Sequence, residues 1–318
     1  TAQMGKFLFI RGGAVGDFIL TMPAIQLVRD QLPENEVEIL GYPTITCLAT
    51  AMGLADRTRS IEDSRLAAFF APKAKLDQEW CDYFSSFNVV VSYLYDPDGF
   101  FGDNLERAGV QTLLRGPFRP ADGAPFVPAA LQLAAPLEAL ALFLDDPEMT
   151  LDYRGSDAIE TPSRPRVAIH PASGSASKNW SFESWASVLA EIHRELDIEF
   201  VVTSGEAEHE TIGHFLALLD ERELPYTHLS GLTLPQLGAV LNDVDFYLGH
   251  DSGVSHLAAS AGTKGLLLFG PTNPEIWAPV SPDMKRLVSK DKSLGGIQVQ
   301  EVLKALRNWT SSHPNRRD

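Results

Sequence analysis

The sequence predicts an α/β protein made of two doubly wound domains in tandem. Short apolar runs that are typical of buried strands alternate with helical segments along most of the chain. The alternation is interrupted near residues 145–165, where Pro, Asp and Ser accumulate, and then resumes. A length of 318 residues also suits two domains of about 150 residues better than one large core.

The interruption sets the expected boundaries: a first domain over residues 1–150, a linker over 151–165 and a second domain over 166–318. In the first domain we expect strands at 6–10, 36–42, 88–95 and 110–116, and helices at 16–32, 44–54, 76–87 and 101–109, with an irregular basic stretch after the second helix. In the second domain we expect strands at 166–170, 199–205, 227–229, 245–249 and 265–270, and helices at 181–196, 209–224, 234–244, 253–262 and 299–309. Strands that alternate with helices form parallel sheets, and ligands bind at the carboxyl ends of such strands.

Charge and composition exclude several classes of protein. The formal net charge of -16 argues against a nucleic-acid partner, because phosphate backbones are held mainly by Lys and Arg. No apolar run approaches the roughly 18 residues of a membrane helix. Cys47 and Cys81 lack the spacing of metal ligands, so we expect buried thiols in a reducing compartment and no metal site.

The turn after the first strand, "RGGAVGD", resembles a dinucleotide-binding loop only in part. That fingerprint needs G-x-G-x-x-G, but Arg11 stands at its first glycine position and no acidic residue closes the second strand. NAD binding is therefore disfavoured. The glycines instead predict a sharp turn that places Asp17 at a helix N-terminus, as a simple N-cap or as a functional carboxylate.

Two segments of the second domain carry features of a phosphate site. The loop "HPASGSASKNW" offers Ser173 and Lys178, although Ser-rich turns are common and a lone lysine is usually solvated. The segment "GHDSGVSHLAASAG" predicts a helix that begins at residues 251–254, with His256 one turn further on. A helix N-terminus binds phosphate through its unpaired N–H groups, which would let an acidic protein hold an anion. Taken alone, His256 is more often a core or capping histidine.

Taken together, "RGGAVGDFILTMPAIQLVR", "HPASGSASKNWSFESW" and "GHDSGVSHLAASAGTKGLLLFGPTNPEIW" resemble the heptosyltransferase family of lipopolysaccharide inner-core enzymes, glycosyltransferase family 9. The resemblance spans both predicted domains in order. It implies the GT-B fold, in which two doubly wound Rossmann-like domains face each other across a cleft. It also implies an ADP-activated heptose donor in the C-terminal domain, an acceptor in the N-terminal domain, and inversion at the anomeric carbon without metal or cofactor, the ADP-sugar being a co-substrate.

The resemblance assigns roles to individual residues. Asp17 matches the catalytic base of the family, and Lys178 matches the lysine that contacts the donor phosphates. Glu208 falls where the family contacts ribose and Leu232 where it contacts adenine. The full donor-binding set is Ser173, Lys178, Glu208, Leu232, Asp251, Ser252, Gly253, Val254 and His256. The sequence departs from the family at Ser252, where threonine is usual, although the hydroxyl is kept.

The acceptor side departs further from the family. Acceptor sites of the family are basic, whereas the N-terminal half of this chain is acidic apart from one cluster. We assign acceptor binding to that cluster, and from it we expect an anionic acceptor such as a phosphorylated or Kdo-containing glycolipid. The cluster comprises Arg57, Arg59, Arg65, Lys73 and Lys75.

The resemblance thus implies an inverting glycosyltransferase that moves a heptose or related sugar to a hydroxyl of a lipopolysaccharide core or similar glycan. Two alternatives remain: a nucleotide-sugar epimerase of the same fold, and a non-catalytic nucleotide-sugar-binding protein. The D-S-G-x-x-H-L-A segment argues against the first, and Asp17 against the second. We further expect a monomer that is cytoplasmic or peripheral to the cytoplasmic face of the inner membrane.

Overall fold

The computed structural model describes residues 5–153 and 164–311. The chain divides into two compact units, Thr1–Pro147 and Glu148–Asp318, which we call the first and second unit. Most of the expected linker, residues 154–163, lies outside the described residues.

The described part of the first unit is one parallel sheet with helices. Its strands are β1 (Lys6–Arg11), β2 (Glu36–Gly41), β3 (Arg57–Ser60), β4 (Val89–Ser92) and β5 (Leu113–Arg115). Its α-helices are α1 (Val15–Gln31), α2 (Pro43–Ala51), α3 (Gln78–Ser85), α4 (Phe100–Arg107) and α5 (Ala129–Ala134). The strand order is β3-β2-β1-β4-β5, so the chain starts at the centre and winds outward in both directions.

Burial explains why these segments form a sheet covered on both faces. Leu8, Phe9 and Ile10 of β1 are all 0% exposed, as expected for a central parallel strand whose two faces are both packed. On α1, every residue from Phe18 to Ile25 is buried. The helix therefore packs into the interior of the unit, and it holds its own N-terminus fixed beside the end of β1.

The described part of the second unit is a larger sheet of the same kind. Its strands are β6 (Arg166–Ile169), β7 (Glu199–Ser204), β8 (Tyr226–Ser230), β9 (Phe246–His250), β10 (Gly265–Phe269) and β11 (Met284–Val288). Its α-helices are α6 (Phe182–Glu195), α7 (Ile212–Glu221), α8 (Leu234–Asn242), α9 (Gly253–Ser260), α10 (Pro274–Trp277) and α11 (Val299–Ser311). The strands are parallel, in the order β11-β10-β9-β6-β7-β8.

Each sheet contains one point where the winding direction changes. It lies between β1 and β4 in the first unit and between β6 and β9 in the second. Register places Ile10 beside Ser92 and Ile169 beside Leu248, so the loops that follow these paired strands leave the same edge of each sheet. Open parallel sheets bind ligands at this position.

The structure departs from the sequence prediction mainly at the sheet edges. β3 and β11 were not predicted, because their sequences "RTRS" and "MKRLV" carry the positive charges that protect edge strands rather than an apolar run. The short helices α5 and α10 were also missed. Cys47 and Cys81 are free thiols as expected, but they are half-buried rather than buried.

Within residues 5–153 and 164–311, no helix is long and apolar enough to span a bilayer. In the same ranges, no three His, Cys, Asp or Glu side chains are grouped as a metal ion would require.

Candidate active site

The turn after β1 is built around a carboxylate. Gly13 adopts φ 97°, a left-handed conformation that favours glycine, and a Cβ atom there would lie 2.8 Å from Oδ2 of Asp17. The same Oδ2 atom accepts a hydrogen bond from the backbone N–H of Ala14 at 3.0 Å. Asp17 is therefore not the N-cap that the sequence allowed. It lies in the first turn of α1, and its carboxylate reaches back to the residue before the helix.

A buried guanidinium stands behind this carboxylate. The side chain of Arg11 is 1% exposed, and its Nη2 atom lies 3.6 Å from Oδ1 of Asp17. Arg11 also donates to the backbone carbonyls of Asp17 at 3.4 Å and of Phe118 at 3.0 Å. Burial lowers the pKa of Arg11 from its ordinary value, and the charge of Asp17 opposes that shift. The arginine thereby ties the start of α1 to a loop that follows β5.

These contacts leave one oxygen of Asp17 open to a bound molecule. Its side chain is 38% exposed, so a bound molecule can reach it. Oδ2 is held by a backbone N–H, whereas Oδ1 has only the long ion pair with Arg11. A positioned and accessible carboxylate is a common general base.

In the second unit, the loop after β6 ends in a lysine held by a buried aspartate. Lys178 closes a short 3-10 helix, Ala176–Lys178. Its Nζ atom lies 2.7 Å from Oδ2 of Asp251, and the two side chains are 32% and 9% exposed. The two residues are 73 positions apart in sequence, and they meet because β6 and β9 are neighbours in the sheet.

The start of α9 adjoins this ion pair. Ser252 is the N-cap, and its hydroxyl accepts a hydrogen bond from the N–H of Ser255. Gly253 and Val254 are the first two residues of the helix, whose N–H groups have no carbonyl partner within a helix. With Lys178 beside it, this helix N-terminus carries the positive electrostatic character that a phosphate group requires.

The remaining donor-side residues differ in accessibility. Ser173 is half-buried, and its hydroxyl donates to Oδ1 of Asn179 at 2.8 Å, so it shapes the loop that leads to Lys178. His256 is 6% exposed on α9. Leu232 is half-buried in the turn that leads from β8 to α8, next to the N-cap residue Thr233.

Glu208 is held from within the protein. It is 4% exposed, and its Oε2 atom accepts from the backbone N–H of Gly205 at 2.8 Å and lies 3.7 Å from Nε2 of His170. Nδ1 of His170 in turn forms a 3.1 Å hydrogen bond with the hydroxyl of Thr203. The ribose contact assigned to Glu208 stays a prediction.

His250, a further buried histidine, lies beneath the site and was missed by the sequence analysis. Nε2 of His250 accepts hydrogen bonds from the backbone N–H of Trp180 at 2.9 Å and from the indole N–H of Trp185 at 3.1 Å. This atom therefore carries no proton, and the neutral ring has its hydrogen on Nδ1. Burial, with a smaller contribution from His170, lowers the pKa of His250 to about 3. The neutral ring joins the end of β9 to the loop that carries Lys178.

The arginines assigned to the acceptor already have carboxylate partners. Arg65 contacts Asp63 and Glu79, each at 2.7 Å. Arg59 contacts Glu79 at 2.8 Å, and its guanidinium lies 3.9 Å from the ring centre of Trp80.

These pairs reduce the positive charge that the cluster offers to an anion. Hydrogen bonds from Arg65 and then Arg59 lower the pKa of Glu79. Arg57 lies 3.8 Å from Glu36 at the opposite end of its strand from the site edge. Lys73 and Lys75 are exposed. The role of this cluster in acceptor binding stays a prediction.

The sequence of the chain is similar to those of known proteins. The profile of glycosyltransferase family 9 (heptosyltransferase) matches residues 107–304. The chain is 31% identical to the lipopolysaccharide core heptosyltransferase OpsX of Haemophilus influenzae in an alignment of 296 positions that covers 85% of this chain and 80% of that protein.

Two solved structures share the fold over nearly the whole chain. A glycosyltransferase family 9 structure from Veillonella parvula superimposes with a TM-score of 0.78 at 16% identity, covering 98% of this chain and 99% of that one. The Escherichia coli ADP-heptose lps heptosyltransferase II superimposes with a TM-score of 0.75 at 17% identity, covering 98% of this chain and 100% of that one. The predicted GT-B fold is thereby confirmed. The chain belongs to glycosyltransferase family 9, the heptosyltransferases, and is a glycosyltransferase.

Proposed function

We propose that this enzyme transfers a heptose from ADP-heptose to a hydroxyl of a lipopolysaccharide core or similar glycan, with inversion at the anomeric carbon. The name of the 31% identical relative supports the reaction, and the name of the Escherichia coli heptosyltransferase II supports the donor. The observation that carries the proposal is the N-terminus of α9, where the hydroxyl of Ser252 and the first N–H groups of the helix adjoin Lys178, which Asp251 holds in place. It gives an acidic protein a local site for the diphosphate of a nucleotide sugar.

We assign the donor to the second unit. Lys178, Ser252 and the first N–H groups of α9 face the diphosphate in this assignment. As the bond between the anomeric carbon and the diphosphate oxygen breaks, negative charge grows on ADP. An ammonium and a helix N-terminus fixed in advance stabilise that charge with little rearrangement.

We assign the acceptor and the proton transfer to the first unit. Oδ1 of Asp17 takes the proton of the acceptor hydroxyl while the hydroxyl oxygen forms its bond to the anomeric carbon. ADP leaves from the opposite face of the sugar, and the proton remains on Asp17 until it passes to solvent. Arg11 positions the carboxylate from behind, and it contacts no substrate in this scheme.

A nucleotide assay tests the proposal directly. ADP release from ADP-heptose is measured with and without a lipopolysaccharide core acceptor, and UDP-glucose and GDP-mannose serve as matched donors. We expect ADP release that depends on the acceptor and exceeds release from the other donors. Sugar isomerisation without nucleotide release would indicate the epimerase alternative, and binding without turnover would indicate a binding protein.

We also propose that the reaction needs no metal or cofactor. Lys178 and the helix N-terminus supply the positive charge that a divalent ion provides in other nucleotide-sugar enzymes. EDTA at millimolar concentration should leave kcat unchanged. Loss of activity on chelation, restored by one divalent ion, would contradict this.

The acceptor assignment makes a prediction about salt. If Arg57, Arg59, Arg65, Lys73 and Lys75 bind an anionic glycolipid, added salt should raise the acceptor KM much more than the donor KM, because exposed charges are screened. Equal effects on the two KM values would remove the cluster from the site. The ion pairs of Arg59 and Arg65 lead us to expect that Lys73 and Lys75 carry most of any such effect.

A glycolipid acceptor also implies where the enzyme works. We propose a monomer that binds reversibly to the cytoplasmic face of the inner membrane. Sedimentation with vesicles that contain the acceptor lipid, compared with vesicles that lack it, measures this binding. Size-exclusion chromatography with light scattering gives the mass in solution.

A further inference from the structure

A pocket in the first unit lies beside the loop that holds Asp17. Its volume is about 250 Å³, and it lies where β4 and β5 end and α4 begins. Leu94, which lines it, lies 3.4 Å from the position that a Cβ atom on Gly12 would occupy. Phe118, also in the lining, has its backbone carbonyl bonded to Arg11 at 3.0 Å. The pocket is therefore linked to Asp17 through Gly12 and through Arg11.

Two aromatic side chains at this pocket are exposed to solvent. Tyr95 is 65% exposed and Phe118 is 47% exposed, although large aromatic side chains usually bury most of their surface. Their ring centres lie 5.4 Å apart and the rings are inclined by 56°, so the pair presents two faces rather than one flat surface. Grouped exposed apolar residues at a pocket indicate a binding surface.

The charged groups of the pocket are paired within the protein. Both carboxylate oxygens of Asp96 accept backbone N–H groups at the start of α4, at 3.0 Å and 2.9 Å. The guanidinium of Arg115 lies 3.1 Å from Oε1 of Glu106. A Cβ atom on Gly102 would lie 2.4 Å from that guanidinium, so a larger residue there would displace it. These contacts balance the charges, and a phosphate or carboxylate ligand would find no uncompensated cation among them.

Size and chemistry together select one kind of occupant. Pockets for drug-sized ligands have volumes of roughly 300–1,000 Å³, so this smaller pocket suits a single ring. The faces of aromatic rings carry negative charge, whereas the C–H groups on one face of a sugar ring are slightly positive. A pyranose can stack on such a ring while its hydroxyls bond to the polar rim. A fatty acyl chain would cover the exposed guanidinium of Arg115 without offering it a further hydrogen-bond acceptor.

We propose that this pocket is a subsite for one uncharged sugar ring of the acceptor, which stacks on Tyr95 or Phe118 and places a neighbouring hydroxyl at Asp17. The proposal rests on the proposed function, because it assigns the acceptor to the first unit. It assigns the main recognition of the acceptor to an aromatic surface instead of the paired arginines. Tyr95 and Phe118 are then the residues that determine acceptor specificity.

Alanine variants of the two aromatic residues test the subsite. Tyr95→Ala and Phe118→Ala should each raise the acceptor KM by about 3- to 10-fold, the effect of one lost aromatic contact, with the donor KM unchanged. Tyr95→Phe should retain the wild-type KM, because it keeps the ring. Phe143→Ala is the matched control, since Phe143 is 60% exposed in the same unit and does not line the pocket.

The outcomes distinguish the subsite from the proposed function. In one outcome the wild type transfers heptose, while Tyr95→Ala and Phe118→Ala have the same acceptor KM as Phe143→Ala. That result would overturn the subsite but not the proposed function. If the wild type transfers no heptose, the proposed function fails, and the subsite is then tested by saturation-transfer NMR with methyl glycosides of neutral hexoses. A signal on the ring protons that Tyr95→Ala abolishes supports the subsite. No signal with the wild type, or displacement by decanoate at equal concentration, overturns it.

Discussion

The two units place opposite charges at the same point of the same fold. In the first unit the accessible partner is the carboxylate of Asp17, 38% exposed, and the buried partner is the cation Arg11, 1% exposed. In the second unit the accessible partner is the cation Lys178, 32% exposed, and the buried partner is Asp251, 9% exposed. Each pair lies where the winding of the sheet reverses.

The two pairs also differ in how tightly they are held. The charged atoms are 3.6 Å apart in the first unit and 2.7 Å apart in the second. In the proposed reaction the loosely paired carboxylate is the general base. The tightly paired ammonium keeps a fixed position and would offer its remaining hydrogens to the diphosphate. We therefore propose that one fold serves two chemical tasks through the sign of its accessible charge.

The largest expected effect is at the accessible partner in the first unit. Asp17→Asn removes the base but keeps an oxygen for the N–H of Ala14, so the turn should be preserved. Since a positioned general base contributes roughly 10²- to 10⁴-fold, kcat should fall by that factor. Steady-state assays at saturating donor and acceptor give kcat, and circular dichroism checks the fold. Near-wild-type turnover with chemistry rate-limiting would make Asp17 a structural residue.

The next effect concerns the glycine that makes room for this carboxylate. Gly13→Ala must adopt φ 97° and would bring a methyl group to 2.8 Å from Oδ2 of Asp17. We expect a loss of about 1–3 kcal/mol in the free energy of unfolding and a fall in kcat of roughly 10-fold or more as Asp17 moves. Gly53→Ala is the matched control, because Gly53 also has a positive φ, 71°, but no atom lies within 4 Å of the added methyl group. Equal behaviour of the two variants would show that the turn does not position Asp17.

A smaller effect is expected at the buried partner in the second unit. Asp251→Asn keeps the shape of the side chain but removes the charge that holds Lys178, so the donor KM should rise by roughly 3- to 10-fold. Asp243→Asn, an exposed aspartate at the end of α8, is the control. A lower donor KM in Asp251→Asn would mean that Asp251 repels the diphosphate instead of orienting Lys178.

The smallest effect at neutral pH is expected at His250, whose titration changes the free energy of unfolding. The pKa of His250 is about 3 in the folded protein, below its ordinary value of 6.5. As the pH falls, His250 therefore binds a proton in the unfolded chain before it does so in the folded protein. As the pH falls from 6.5 to about 3, the contribution of this group to the free energy of unfolding should fall by up to about 1.4 kcal/mol per pH unit, and above pH 6.5 it should not change.

His250→Gln keeps an acceptor for Trp180 and Trp185 and removes the titration, so its unfolding free energy should depend less on pH between 6 and 4. Urea denaturation followed by tryptophan fluorescence measures this, since four of the five tryptophans lie in the second unit. His214→Gln, at a histidine whose side chain is 61% exposed, should keep the wild-type dependence. Identical curves for His250→Gln and the wild type would contradict the buried neutral ring.

Much of the fold was predictable from the sequence. The central strands of both sheets, such as "KFLFI" and "GLLLF", are apolar runs that can be recognised from the sequence alone. The edge strands β3 and β11 were missed because one face meets solvent and their charged residues hide the pattern. The family, the GT-B fold and the glycosyltransferase activity were predicted from three motifs and are confirmed.

The candidate site was predictable only in part. Asp17, Lys178 and Asp251 stand in recognisable motifs, but the contacts of Arg11 and His250 join distant segments of the chain. Arg11 reaches a carbonyl 107 positions away, and His250 accepts from a residue 70 positions away. The aromatic pair at the pocket gave no sequence signal, because Tyr95 and Phe118 follow different strands.

In this account, the first unit carries the general base and the second unit binds the donor. Two variants measured side by side test this assignment most directly. For Asp17→Asn and Lys178→Ala, isothermal titration gives the dissociation constant for ADP, and rapid quench gives the single-turnover rate at saturating ADP-heptose and acceptor. Lys304→Ala, an exposed lysine on α11, controls for lost charge. The account predicts that Asp17→Asn slows transfer by roughly 10²-fold or more and leaves ADP binding unchanged, whereas Lys178→Ala weakens ADP binding by about 10-fold. Unchanged ADP binding in Lys178→Ala, or unchanged transfer in Asp17→Asn, would contradict it.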